Sequence, residues 1–454
     1  MSQPQSFDFL VGTFNTPQLY TLRFTPGSRS SSSSPSSTLK IVQRSSAIGS
    51  HSWLHLTPPR PDGTRTLYAT AWTEPPTVVA YAVHSPTEIS LLDTARTQSR
   101  SGYVCASDVA VYSAGGATGE VFVIDRETGG FLQSSQSAAT STNGTTDVAH
   151  STPSAPAPPL QTISFLDASS QRDDGSVMDF GGLRHGAHSA DLSPDQRALY
   201  VADIGRNCIW TYSVSPLDGR TTLGEKHVSP RPNDGPRHVW PHPSGRHVYC
   251  LQEHTSMVDV FSTSDDGVTL AHEQGVRIIP DTEDEHDFWA DEVRTSLSHG
   301  SKPQYLYAST RGLDKGKRGY VAVYKLTDDG RIDTSARNHN SLTNGSLNGK
   351  NGHVHSHKTV ASATASASAS ANANTKASND PYAGLLCMYE TATSGGWANA
   401  IQPGPTVAGV EYLAMTDSEE GFVFVLSWDG KEIQEVARTR LDEGAGAATA
   451  VWFS

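Results

Sequence analysis

Cysteine is scarce in this chain, with four residues in 454. Cys105, Cys208, Cys250 and Cys387 are scattered and never form a CxxC pair, so neither a disulfide framework nor zinc or redox spacing is indicated. Three of them lie within or beside strand-like runs, the ordinary place for a buried free thiol. Basic charge is also short: 34 Lys and Arg stand against 47 Asp and Glu, a net charge of −13. An acidic chain with no Lys/Arg-rich helix and no aromatic RNA-binding motif is not expected to bind nucleic acid. Long apolar runs are missing, and the N-terminal MSQPQSFDFLVGTF has neither a basic leader nor an apolar stretch. A soluble cytoplasmic protein without membrane contact is the expectation. Strong helical periodicity is absent too, and what remains is β.

The clearest β unit runs from Arg184 to Tyr212. His185 and His188 precede a Ser-Pro-Asp turn, Ala198-Leu-Tyr-Val-Ala202 is a compact strand ending on Asp203, and a polar bend leads into a returning strand, Cys208 to Tyr212. The unit recurs. Gly235-Pro-Arg-His-Val opens the next copy, Pro243-Ser-Gly is its turn, His247 to Gln252 its central strand, and Met257 to Phe261 its return. Further copies centre on Thr66-Leu-Tyr-Ala-Thr70, Tyr305-Leu-Tyr-Ala-Ser309 and Leu413-Ala-Met-Thr416. From Leu199 to Val248 to Leu306 the steps are about 50 and about 58 residues, near the roughly 40 to 50 of one four-stranded propeller blade.

Central strands near Leu10, Leu67, Val109, Leu199, Val248, Leu306 and Leu413 predict an all-β, seven-bladed propeller of four-stranded antiparallel blades filling residues 1–454 as one domain. Phe7 to Phe14 and Ala448 to Phe453 are apolar β runs at the two termini, and their pairing inside one blade closes the ring. Three tracts poor in large apolar residues, approximately 28–37, 133–159 and 332–380, cannot offset the entropy of ordering and are expected as disordered insertions. The His353, His355 and His357 cluster in the last of them is taken as solvated, so no metal site is expected. His51-Ser-Trp53-Leu-His55 and Val104 to Tyr112 read as mainly structural.

Chemistry in a propeller belongs where equivalent blade positions converge on the central channel. Four residues share such a registry: His188 before the turn of one blade, Arg237 at the same place in the next, Glu253 just after that blade's central strand, and Arg311 after Tyr305 to Thr310. Each alone is an ordinary turn residue or surface charge. Together they form a cationic and acid/base set suited to a small polyanion.

HGAHSADLSPDQRALYVADIGRNCIW, GPRHVWPHPSGRHVYCLQEHTSMVDVF, DFWADEVRTS with YLYASTRGLDKGKRGYVAVYKL, and TSGGWANAIQP with EYLAMTDSEEGFVFVLSWDG resemble the seven-bladed lactonase-propeller family. That family contains fungal carboxy-cis,cis-muconate cyclases (3-carboxymuconate lactonizing enzymes) and bacterial 6-phosphogluconolactonases. The resemblance implies an intramolecular lyase, or cycloisomerase, of aromatic catabolism that interconverts a carboxylated cis,cis-muconate and its lactone without metal or redox cofactor. It puts His188, Glu253, Arg237 and Arg311 at catalytic positions. Arg237 and Arg311 would bind substrate carboxylates, and either His188 or Glu253 would move the proton. His185 matches the first histidine of an HxxH pattern and is a weaker substrate-binding candidate. Trp397 stands where relatives carry a histidine in the SGGWANAI segment, a change in the substrate-binding wall. The expected partner is a small anionic polycarboxylate or lactone, and self-association into a homo-oligomer stays open. Two other readings share these residues: a lactone hydrolase of the 6-phosphogluconolactonase type, and a non-catalytic binding platform.

Overall fold

The computed structural model describes residues 5–27, 36–132, 156–166, 186–297, 300, 302–336 and 380–453. Among them are twenty-eight strands in seven four-stranded antiparallel sheets. We number the sheets as blades in chain order. Their innermost strands are Ala447–Trp452, Leu54–Leu56, Tyr103–Ala106, Ala187–Leu192, Pro236–Pro241, Phe288–Thr295 and Ile401–Val407. No α-helix occurs among the described residues, and none is long and apolar enough to cross a membrane.

Blade one closes the ring. Its innermost strand comes from the C-terminus and pairs with Phe7–Thr13, placing Phe9 opposite Trp452 and Leu10 opposite Val451. The Phe9 and Trp452 rings meet at 4.4 Å and join a core cluster shared with blade seven through Tyr412 and Val425.

Position within a blade explains the hydropathy pattern. The second strand of each blade lies between neighbouring blades, so both of its faces are covered: Ala198–Asp203 and His247–Gln252 are buried at every residue. The outermost strand packs on one side only, and Thr221–Val228 is mostly exposed or half-exposed. The turns between inner and second strands are built from the residues the sequence marks. In blade four Ser193 Oγ accepts the backbone N–H groups of Arg197 and Ala198 at 3.1 and 2.9 Å. In blade five Gly245 takes a φ of +70°, which the Pro-Ser-Gly turn requires.

Most of the three low-complexity tracts, with His353, His355 and His357, lies outside the described residues. Two of the expected edges need correction. Ala157 is fully buried and bridges Ala95. Ile332 is 2 % exposed and packs with Tyr249, Leu306 and Tyr324 between blades five and six. Single apolar anchors at the margin of a polar tract are averaged away when composition is read over a window.

Candidate active site

Three neighbouring inner strands each carry a bulge at the same position. Ala187 pairs with Asp203 and Ser189 with Ala202, leaving His188 without a residue opposite; Arg237 and Asp291 are displaced in the same way in blades five and six. A bulge interrupts the alternation of the pleat and re-aims one side chain. His188, Arg237 and Asp291 accordingly line one cavity of about 600 Å³ at the ring axis. His188 and Arg237, read from sequence as lying before a turn, are therefore inside the inner strands.

Arg237 is buried and fixed from two sides. Its Nη1 donates to Glu253 Oε2, its Nη2 to Asp291 Oδ1 at 2.8 Å, and its Nε to the Asp291 carbonyl at 3.2 Å. Glu253 is 0 % exposed and lies behind Arg237, outside the cavity lining. Burial alone would raise its carboxyl, but Arg237, Arg311 and His254 outweigh that and hold it below the ordinary carboxylate range. Its backbone N–H donates to Gly235 O at 2.8 Å and its carbonyl accepts from Ala290 N at 2.9 Å, so the same residue ties blade five to the strand that carries Asp291.

Arg311 enters from the adjacent wall. It belongs to the strand Tyr305–Gly312 rather than to the loop after it, because pairing with the inner strand continues to Gly312 opposite Phe288. The residue is 6 % exposed, its guanidinium stands 5.0 Å over the Trp289 ring, and Nη1 donates to the Gly396 carbonyl at 3.0 Å. Burial first, then repulsion from Arg237, pushes its pKa down to about 10, so it remains cationic near neutrality. Trp397 is 68 % exposed at the rim, with its N–H donating to Ser418 Oγ at 2.5 Å. It is a mouth residue, not a deep contact.

Across the cavity Arg100 sits 5.2 Å over Trp72. The floor is Trp53 stacked on Tyr103 at 3.9 Å. Tyr103 Oη lies 3.1 Å from His238 Nε2, and His238 Nδ1 accepts the Val293 N–H at 3.2 Å. That acceptor role puts the proton of a neutral His238 on Nε2, and burial holds the ring neutral by lowering its pKa to about 4.

The structure thus gathers His188, Arg237, Arg311 and Trp397 around one space and sets Glu253 behind it. His185 lies outside the described residues. Asp291, Arg100, Trp289 and the Tyr103–His238 pair were not picked out from sequence. Asp291 alone left a signal: its Ala-Asp-Glu triplet occupies the register of Pro-Arg-His in the preceding blade. His51 is structural as expected, buried between Thr70 O and Tyr81 Oη at 2.6 and 2.9 Å. Among the described residues no group of three or more His, Cys, Asp or Glu side chains could hold a metal ion.

A seven-bladed ring whose axial cavity is walled by arginines defines a propeller of a kind suited to lactone-related catalysis. The chain belongs to the lactonase family of seven-bladed β-propellers, whose family model, "Lactonase, 7-bladed beta-propeller", matches residues 9–366. It is 35 % identical over 459 residues to a Cutaneotrichosporon cutaneum protein named muconate cycloisomerase 1, with 99 % of each chain covered. It is 25 % identical over 276 residues to the carboxy-cis,cis-muconate cyclase of Neurospora crassa, covering 59 % of this chain and 60 % of that one. Among solved structures it resembles a putative 6-phosphogluconolactonase from Bacteroides fragilis, with a TM-score of 0.64, 16 % identity and coverage of 99 % and 98 %. The periplasmic gluconolactonase of Pseudomonas aeruginosa gives a TM-score of 0.64 at 13 % identity, with 99 % of each chain covered. These last two likenesses are of fold.

Proposed function

We propose that this chain is a lactonizing cycloisomerase that interconverts a carboxylated cis,cis-muconate and its lactone. The observation that carries the reading is Arg311: a buried guanidinium on the cavity wall whose hydrogen bond, among the described residues, goes to a backbone carbonyl and not to a carboxylate. A buried charge is costly unless compensated; Asp291 and Glu253 act on Arg311 through space, and a substrate carboxylate would complete the set. The full-length likeness to a protein named muconate cycloisomerase supports the same substrate class.

In this reading Arg311 receives a spectator carboxylate, and Arg237, held rigid by Glu253 and Asp291, presents its outward N–H groups to a second. A further carboxylate oxygen of the substrate attacks its own distal double bond. The C–O bond forms as the π pair moves to the neighbouring carbon, and the guanidiniums stabilise the enolate-like charge. His188, which lines the cavity, gives that carbon its proton, and in reverse removes it. Glu253 is a positioning residue, since it stays ionised and touches the cavity only through Arg237. We also propose a cytoplasmic location, which four free thiols support.

The test is purified protein assayed side by side on 3-carboxy-cis,cis-muconate, followed by loss of diene absorbance, and on 6-phosphogluconolactone, followed by acid release. Turnover of the diene bears the reading out. Turnover of the lactone alone replaces it with a hydrolase.

A further inference from the structure

The inner strands carry a second set of side chains three residues beyond the bulges. Asp191 follows His188, Trp240 follows Arg237, and Arg294 follows Asp291. All three line a separate cavity of about 520 Å³ on the far side of the Trp53–Tyr103 stack, which is wall to both chambers.

Arg294 is the centre of this chamber. It is 6 % exposed, and its guanidinium lies 4.1 Å from the Trp240 ring centre and 5.3 Å from that of Trp53. Its Nε donates to Glu292 Oε1 at 2.6 Å, while neither terminal nitrogen has a hydrogen-bond acceptor among the described residues. The two indole contacts hold the guanidinium at the chamber wall, where its terminal N–H groups can meet a ligand. Asp191 stands on the neighbouring strand: its Oδ2 is buried 3.6 Å from His238 Nε2, which leaves Oδ1 as the oxygen that can meet the chamber. His55, on the same wall, is held neutral because burial lowers its pKa to about 4.

A planar pair of donors facing the cavity fits a carboxylate, and an acceptor on the neighbouring strand fits a hydroxyl. We propose that this second chamber is a binding site for a small hydroxy-carboxylate, its carboxylate on the Arg294 fork and its hydroxyl donating to Asp191. The site is separate from the lactonizing reaction, because neither Arg294 nor Asp191 is used there.

The experiment is calorimetric titration of the full-length protein carrying Arg311→Met, which weakens carboxylate binding in the upper cavity, with L-malate as probe and succinate as its hydroxyl-free counterpart. One malate site is expected, succinate binding more weakly, and Arg294→Met on that background weakening malate by about tenfold or more, the loss of a charge-assisted pair of bonds. Arg294→Lys, which keeps the charge beside Glu292, falls between and guards against a misfolded Met variant, with circular dichroism as the check. No malate binding to the Arg311→Met protein, or equal binding with and without Arg294, overturns the site. Equal affinity for succinate and malate overturns the role of Asp191. Turnover is not the readout, so failure of the lactonizing reading leaves this test intact.

Discussion

Arg237 and Asp291 occupy the same bulge position on neighbouring inner strands, and their 2.8 Å contact joins blades five and six at the cavity wall. The second Asp291 oxygen accepts the Asn399 N–H at 2.9 Å, so one carboxylate also reaches blade seven. Asp291→Ala therefore loosens the wall on both sides. We expect a loss of about 1–3 kcal/mol in urea unfolding, the cost of stranding buried donors, and a fall in kcat/KM; wild-type values for both would show that the contact is incidental.

Arg311→Lys keeps a cation but loses the planar fork and the stack on Trp289. A drop in kcat/KM of about tenfold or more follows if a carboxylate pairs there. Arg237→Lys should do the same and also weaken the fold, because two carboxylates lose their partner. Steady-state kinetics with circular dichroism separates the two, and unchanged kinetics for both variants would remove the arginines from substrate binding.

His188→Asn and Glu253→Gln should differ in kind. If His188 moves the proton, its loss lowers kcat by about 10²–10⁴-fold at similar KM and removes a limb of the pH–rate profile. Glu253→Gln should lower kcat/KM through a loosened Arg237 while both limbs remain. The reverse pattern would move the proton-transfer role to Glu253.

Burial lowers the pKa of His51 to about 4, below the ordinary value of about 6.5. The unfolded chain therefore binds a proton in this interval that the folded chain does not, so the stabilisation is complete above pH 6.5 and is lost as pH falls toward 4. Glu292, raised to about 7 by burial, acts in the opposite sense: its contribution is present at low pH and lost as pH rises through 7. His51→Gln isolates the first effect. Its deficit against wild type in chemical unfolding should be greatest at pH 7 and shrink by on the order of 3 kcal/mol toward pH 4. A deficit that does not vary with pH would refute the assignment.

Replacing residues 337–379 with a short Gly-Ser linker should leave the melting temperature nearly unchanged, since their composition offers little apolar area to bury. Ile332→Ala, a few residues earlier, should cost about 2–5 kcal/mol. Equal effects of the two changes would mean that the boundary is misplaced.

The second strands were the legible part of this fold. Covered on both faces, these strands carry apolar runs such as Ala198 to Ala202 and Leu413 to Met415, and such runs at blade spacing are visible in one dimension. The three-residue inner strand Leu54–Leu56 and the mostly exposed Thr221–Val228 have no such constraint and left little trace.

By itself the sequence determined the seven-fold repeat and the closure of the ring through its ends, and it marked His188, Arg237, Glu253 and Arg311 as candidates, because hydropathy and spacing are properties of the chain. Only the tertiary structure decided what those residues do to one another. Bulges depend on pairing between strands, and they turn His188, Arg237 and Asp291 into the cavity. The ion pairs depend on distances between blades, and they set Glu253 behind Arg237 and leave Arg311 with a backbone carbonyl. Register and approach across blades come from packing, which no single stretch of chain encodes.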